Sequence, residues 1–212
     1  MPEMVMVEKA LVQSQMWRAM VAKIVLPWLV KNHALSGQVL EIGAGGGEMA
    51  AQLLAVNEAV TVTATDYSKA MVAVMERRLV AFGSRVNVRQ VDAMELPFED
   101  DSFDVVISCV MLHHVGDWRK ALSECARVLQ PGGLLIGCEL IDTLPLRLLD
   151  RIERAQIIPA SLGGIDEHLR HLKLDDVETR HSLGGLVDHF KARKSMVGVD
   201  GYDMAQLSSW RQ

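Results

Sequence analysis

The stretch Val39-Leu40-Glu41-Ile42-Gly43-Ala44-Gly45-Gly46-Gly47-Glu48 leads an apolar run straight into a glycine-rich turn and then into a helical pattern. Glycines at such a turn let the backbone reverse sharply and approach a ligand closely. A strand, a glycine turn and a helix in this order open a βαβ unit.

Working outward, short β-branched runs alternate with longer helical segments. Candidate strands cover residues 39–43, 60–65, 85–91, 103–109 and 134–140. Most are apolar on both faces, as expected of a parallel sheet covered by helices on both sides. Residues 48–56, 68–82 and 117–129 carry apolar positions at three and four spacing, with Ser68 and Asp117 where helix caps belong. Residues 177–183 and 186–192 read as two short strands joined at Gly184-Gly185, a hairpin that closes the sheet. The expected architecture is a single α/β domain over residues 1–212. It comprises a helical cap at 1–36, a core at 37–143, an irregular substrate-side insertion at 144–174 and the closing hairpin at 175–193. In the cap, Trp17, Met20, Ile24 and Trp28 recur at helical spacing.

Composition narrows the function. The chain has 212 residues, half of them hydrophobic, with 23% charged residues and a formal net charge of -5. That balance gives no footprint for nucleic acid or an anionic membrane surface, so the expected partner is a small-molecule acceptor, with a homodimer as the protein assembly admitted. Cys109, Cys125 and Cys138 lie among apolar residues without metal-type spacing and read as reduced thiols. With no apolar leader pattern in residues 1–10, a cytoplasmic location is expected. Residues 24–30 form an apolar run of seven interrupted by Pro27, short of the roughly 20 that cross a membrane.

The glycine turn alone admits nicotinamide and flavin enzymes too. The dinucleotide fingerprint G-x-G-x-x-G/A, counted from Gly43, meets Glu48 at its sixth position. A negative Glu48 at the helix start disfavours a pyrophosphate and tolerates a cationic ligand. Glu41 can hold an ammonium, or can be a solvated or capping carboxylate. Asp66 after the second strand can accept two ribose hydroxyls, or cap the next helix. Asp92 can accept from an adenine amino group while Ala93 donates a backbone N–H, or Asp92 can be a turn residue.

Four segments occur in order: Leu40-Glu41-Ile42-Gly43-Ala44-Gly45-Gly46-Gly47, Asp92-Ala93-Met94-Glu95-Leu96-Pro97-Phe98, Ser102-Phe103-Asp104-Val105-Val106 and Arg127-Val128-Leu129-Gln130-Pro131-Gly132-Gly133. Together they resemble the class I S-adenosylmethionine-dependent methyltransferases, in particular the small ubiquinone and menaquinone branch. The resemblance implies a doubly wound, Rossmann-like sheet of seven strands, mostly parallel with a C-terminal antiparallel hairpin. It also implies S-adenosyl-L-methionine as cofactor, with Gly43, Ala44, Gly45 and Gly47 along its methionine part, Asp66 on the ribose, Asp92 and Ala93 on the adenine, and Tyr67 and Met71 beside the base. Cys109 and the residues up to His114 would line the place where the methyl meets the acceptor. The segment from Arg127 to Gly133 would be architectural.

Methyl transfer to a hydroxyl needs a base, and His113 or His114 stands where one belongs. Glu139 and Asp142, at the end of the fifth strand, could bridge a divalent ion such as Mg. Oxygen is the expected acceptor atom, with carbon or nitrogen as the alternatives. A non-catalytic cofactor-binding partner subunit is the reading from another class.

Overall fold

A computed structural model describes residues 19, 21–30, 33–140, 164–182 and 187–196. Seven strands form one sheet: β1 (Gly37–Ile42), β2 (Val60–Asp66), β3 (Val86–Gln90), β4 (Phe103–Cys109), β5 (Leu129–Leu140), β6 (Leu174–Ser182) and β7 (Val187–Lys194). Their spatial order is β3-β2-β1-β4-β5-β7-β6. The first five pair in parallel, and β7 runs antiparallel to both β5 and β6. The sheet is thus the mostly parallel, hairpin-ended one expected.

Its two faces are both apolar because alternate residues of each strand feed two separate cores. Leu40, Ile42, Val106 and Leu135 join one core with α4 (Trp118–Val128) and α5 (Ile165–His171), contributing Leu122, Cys125 and Leu169. Val39, Val105, Ile107 and Ile136 join the other. That second core is covered by α1 (Leu26–Val30), α2 (Glu48–Val56) and α3 (Lys69–Leu79). Pro27 follows a π-helical turn at Val21–Val25, whose wider winding suits a residue that cannot donate a backbone hydrogen bond.

Several boundaries differ from the periodicity. The third helix stops at Leu79, and 80–85 tighten into a 3-10 segment in which Gly83 adopts φ 57°. β5 starts at Leu129, five residues before its apolar run, and takes in an irregular stretch where Phe103 faces Leu129 but Val105 faces Leu134. Asp117 caps α4 by accepting from the Lys120 amide at 3.0 Å. Ser68 occupies the cap position of α3 without a side-chain bond, and its own amide donates to Asp66. The turn at Gly184-Gly185, the cap residues Trp17 and Met20, and positions 144–163 of the expected insertion lie outside the described residues.

Gly137 of β5 is pinned between neighbours: a Cβ there would strike the Phe190 ring and the Ser108 carbonyl. Gly137→Ala should therefore lower unfolding free energy by about 2–3 kcal/mol, as overpacking does, read as a lower urea midpoint at unchanged slope.

Candidate functional site

The C-terminal ends of β1 to β5 converge on one edge of the sheet, where ligands of open α/β sheets bind. After β1, Gly43, Gly45 and Gly47 all take left-handed φ, at 63°, 55° and 76°. Two of them also lack room for a side chain. A Cβ at Gly43 would lie 2.6 Å from the Met111 Cβ, and one at Gly47 would lie 2.7 Å from the Met75 Cγ. The glycines are thus needed by the crossing of protein segments as well as by a turn.

Asp66, at the end of β2, fastens this turn. One carboxylate oxygen accepts from the Gly45 amide and the other from the Ser68 amide, each at 2.8 Å. Burial raises its carboxyl above the usual range, and those two amides pull it back down. Each oxygen keeps a second lone pair for a ligand donor.

Glu41 lies beneath the turn on the α2 side. Its carboxyl is buried, and one oxygen, Oε2, meets no hydrogen-bond partner among the described residues. Burial pushes it up to about 8; the Ala50 amide opposes the shift and the charge of Asp66 adds to it. Burial favours its neutral form, and a cation placed beside it would favour the ionised one.

Glu48 differs from the sequence reading. Its Oε2 lies 3.2 Å from Arg78 Nη1, and the same nitrogen donates to the Gly46 carbonyl at 2.6 Å. Arg78 of α3 neutralises Glu48, so the argument that Glu48 alone repels a pyrophosphate weakens. The cation preference of the turn rests on Glu41 instead.

Beyond β3, Asp92 Oδ1 accepts from the Met94 amide at 2.9 Å, and Ala93 is buried. Tyr67 is exposed, with its carbonyl accepting from Gln90 Nε2, whereas Met71 is fully enclosed. Cys109 pairs in register with Cys138, and the neighbouring Cys138 side chain together with burial holds its thiol well above its ordinary range. Cys109, Cys125 and Cys138 are all free thiols, as expected.

The segment after β4 is built around Glu139. Val110 adopts φ 52°, a conformation costly for a β-branched residue, and its amide donates to the Cys138 carbonyl. Glu139 Oε2 accepts from the amides of Met111 and Leu112 at 3.2 and 2.7 Å, and Oε1 is hydrogen-bonded to His113 Nδ1. Both oxygens expected to bridge a metal are thereby committed to this loop. Asp142 lies outside the described residues, and among the described residues no three ligating side chains gather to hold a metal. His113 is drawn into the interior, while the half-buried His114 lies tilted against it at 3.9 Å between centroids.

Sequence reasoning missed Arg78 and Asp188. Asp188 is buried and stands opposite Glu139 in the β5–β7 register. Neither carried a local signal: Asp188 lies in the polar run Val187–Lys194, and Arg78 follows Arg77 near the end of α3. Of the other histidines, His189 lies tilted against the Trp28 ring, and His168 contacts the Trp118 edge and the Arg119 carbonyl. Among the described residues, no helix is long and apolar enough to cross a membrane.

Residues 40–137 match the family described as a methyltransferase domain. The chain is 39% identical over 137 residues to a demethylmenaquinone methyltransferase of Clavibacter sepedonicus, covering 65% of this chain and 52% of that protein. It is 33% identical over 141 residues to a 27-O-demethylrifamycin SV methyltransferase of Amycolatopsis mediterranei, covering 64% and 52%. The chain spans about half the length of these curated relatives. Its fold is shared with a SAM-dependent methyltransferase from Aquifex aeolicus at TM-score 0.70, 18% identity and 90% and 99% coverage of the two chains. It is also shared with a Haemonchus contortus phosphoethanolamine N-methyltransferase at TM-score 0.71, 20% identity and 92% and 61% coverage. Over residues 40–137 the chain thus carries a methyltransferase domain, similar in sequence to the demethylmenaquinone and ubiquinone/menaquinone methyltransferases.

Proposed function

We propose that the protein transfers a methyl group from S-adenosyl-L-methionine to a hydroxyl oxygen of a small acceptor such as a sugar, phenol or quinol. The observation that carries the cofactor assignment is the Glu41 oxygen, buried without a hydrogen-bond partner among the described residues. Burying a carboxylate unpaired is costly, and a cofactor ammonium relieves that cost. Gly43, Ala44, Gly45 and Gly47 would lie along the amino-acid part, Asp66 would take the ribose, and Asp92 with Ala93 would take the adenine edge. Tyr67 supplies an exposed ring beside the base, whereas the enclosed Met71 supports it from the core.

When bound, the cofactor supplies a methyl group on a sulfonium, so no covalent enzyme intermediate is required. The chain's own residues orient the acceptor, exclude water and remove its proton. Glu139 fixes the loop and the orientation of His113. His114, the more exposed ring of the pair, is the base assigned to the acceptor hydroxyl. This reading uses Glu139 as a positioning residue rather than a metal ligand, since its oxygens are committed to Met111, Leu112 and His113.

The 39% identity to a demethylmenaquinone methyltransferase favours a second reading, methylation of a ring carbon beside a hydroxyl. Removing the hydroxyl proton serves both, because the resulting oxyanion raises electron density at oxygen and at the adjacent carbon.

Incubation with methyl-labelled cofactor and a panel of hydroxylated sugars, phenols, quinols and amines should label hydroxylated acceptors. Label on amines alone would contradict the assignment. His114→Ala should lower kcat about a hundredfold and remove a basic limb from its pH profile; an unchanged kcat would dismiss His114 as base.

Glu41 gives a pH prediction. Because burial lifts its pKa to about 8, above the ordinary 4.5 of a glutamate, its contribution to stability is full below about 4.5. That contribution is lost as pH rises towards 8. The unliganded protein should lose up to about 1.4 kcal/mol per pH unit across this window, and Glu41→Gln should flatten the loss. Binding of S-adenosylhomocysteine at pH 7 should release a proton, seen by calorimetry in buffers of different ionisation enthalpy, and Glu41→Gln should abolish that release.

A further inference from the structure

At the last turn of α4, Arg127 uses every donor of its guanidinium. Nε and Nη2 form a fork on Glu124, each at 2.8 Å. Nη2 also donates to the Leu96 carbonyl at 2.8 Å, while Nη1 donates to the Phe98 carbonyl at 2.8 Å and to Asp100 at 2.7 Å. Glu124 completes the circuit by accepting from the Leu96 amide at 2.8 Å. The Glu124 and Arg127 pair therefore satisfies both backbone groups of a single residue, Leu96, across 28 to 31 residues of sequence. Five committed donors in a planar fork make a geometrically specific anchor, which a lysine cannot reproduce.

Leu96 ends a tight turn that begins at Asp92. The Glu95 amide donates to the Asp92 carbonyl at 3.0 Å, and Asp92 Oδ1 takes the Met94 amide. Ala93 and Leu96 are both buried in the core beside α4. With so short a span, the position of Leu96 fixes where the second Asp92 oxygen and the Ala93 N–H point.

We propose that Arg127, through Glu124 and Leu96, is a positioning residue for nucleobase recognition: it holds Asp92 and Ala93 in the register that distinguishes adenine from a 6-oxopurine. This rests on the cofactor reading given above. Adenine offers an amino donor and a ring acceptor, matching Asp92 and the Ala93 N–H. Hypoxanthine presents the opposite polarity at both positions and is rejected only while those groups are held rigidly.

The test is calorimetric titration of the full chain with S-adenosylhomocysteine and S-inosylhomocysteine, for wild type, Arg127→Ala and Arg127→Lys. Wild type should prefer the adenine ligand. Arg127→Lys should weaken it by about tenfold, the scale of one well-placed hydrogen bond, and leave the inosine ligand nearly unchanged, so the preference collapses. Arg127→Ala should do so further; if it is unfolded at the titration temperature, Arg127→Lys decides. Equal weakening of both ligands, or no change in either, would overturn the positioning role. Wild type binding both ligands equally would overturn the adenine assignment of Asp92 and Ala93, and wild type binding neither would overturn the cofactor reading beneath it.

Discussion

Asp66 accepts from the Gly45 amide with one oxygen and from the Ser68 amide with the other, so one side chain joins the turn after β1 to the start of α3. The remaining cofactor-side geometry is arranged around that tie. Once Gly45 is held, Gly43 is pressed against Met111 and Gly47 against Met75, and left-handed glycines are the residues that fit. The tie also dissolves a choice that the sequence leaves open. Capping and ligand binding are compatible for Asp66, because each oxygen that receives an amide retains a lone pair.

The same logic of long-range clamping recurs around the site. Arg78 of α3 holds Gly46 and Glu48, Glu139 of β5 holds the amides that follow β4, and Arg127 of α4 holds the loop after Asp92. The described loops after β1, β3 and β4 are thus each secured by a charged side chain from another element. Such charge-assisted bonds are stronger than neutral ones and keep the loops preorganised. Glu41 is the exception in this scheme: its carboxyl is buried beneath the glycine turn with one oxygen unpaired among the described residues.

What was legible in the sequence followed from local pattern. Continuous apolar runs on both faces revealed the five parallel strands, and the glycine turn with Glu41, Asp66 and Asp92 led to the cofactor edge proposed above. The seven-stranded order agrees with the strand reading, and the match over 40–137 with a methyltransferase domain. The start of β5 was missed because Gly132, at φ 79°, and the slipped pairing with Phe103 and Val105 are set by β4, not by local hydrophobicity. Glu139 was read as a metal ligand because sequence shows a carboxylate at a strand end but not the three donors, 26 to 28 residues away, that engage it. Glu48 was read as a negative charge facing a ligand at the helix start for the same reason, its partner Arg78 lying on the next helix.

The central claim is that this edge of the sheet holds a cationic adenosyl cofactor rather than a dinucleotide. Parallel calorimetric titrations of the unmodified protein with S-adenosylhomocysteine and with NADH test it most directly. Saturable binding of S-adenosylhomocysteine with no detectable binding of NADH is the result predicted, and binding of NADH alone would contradict the account.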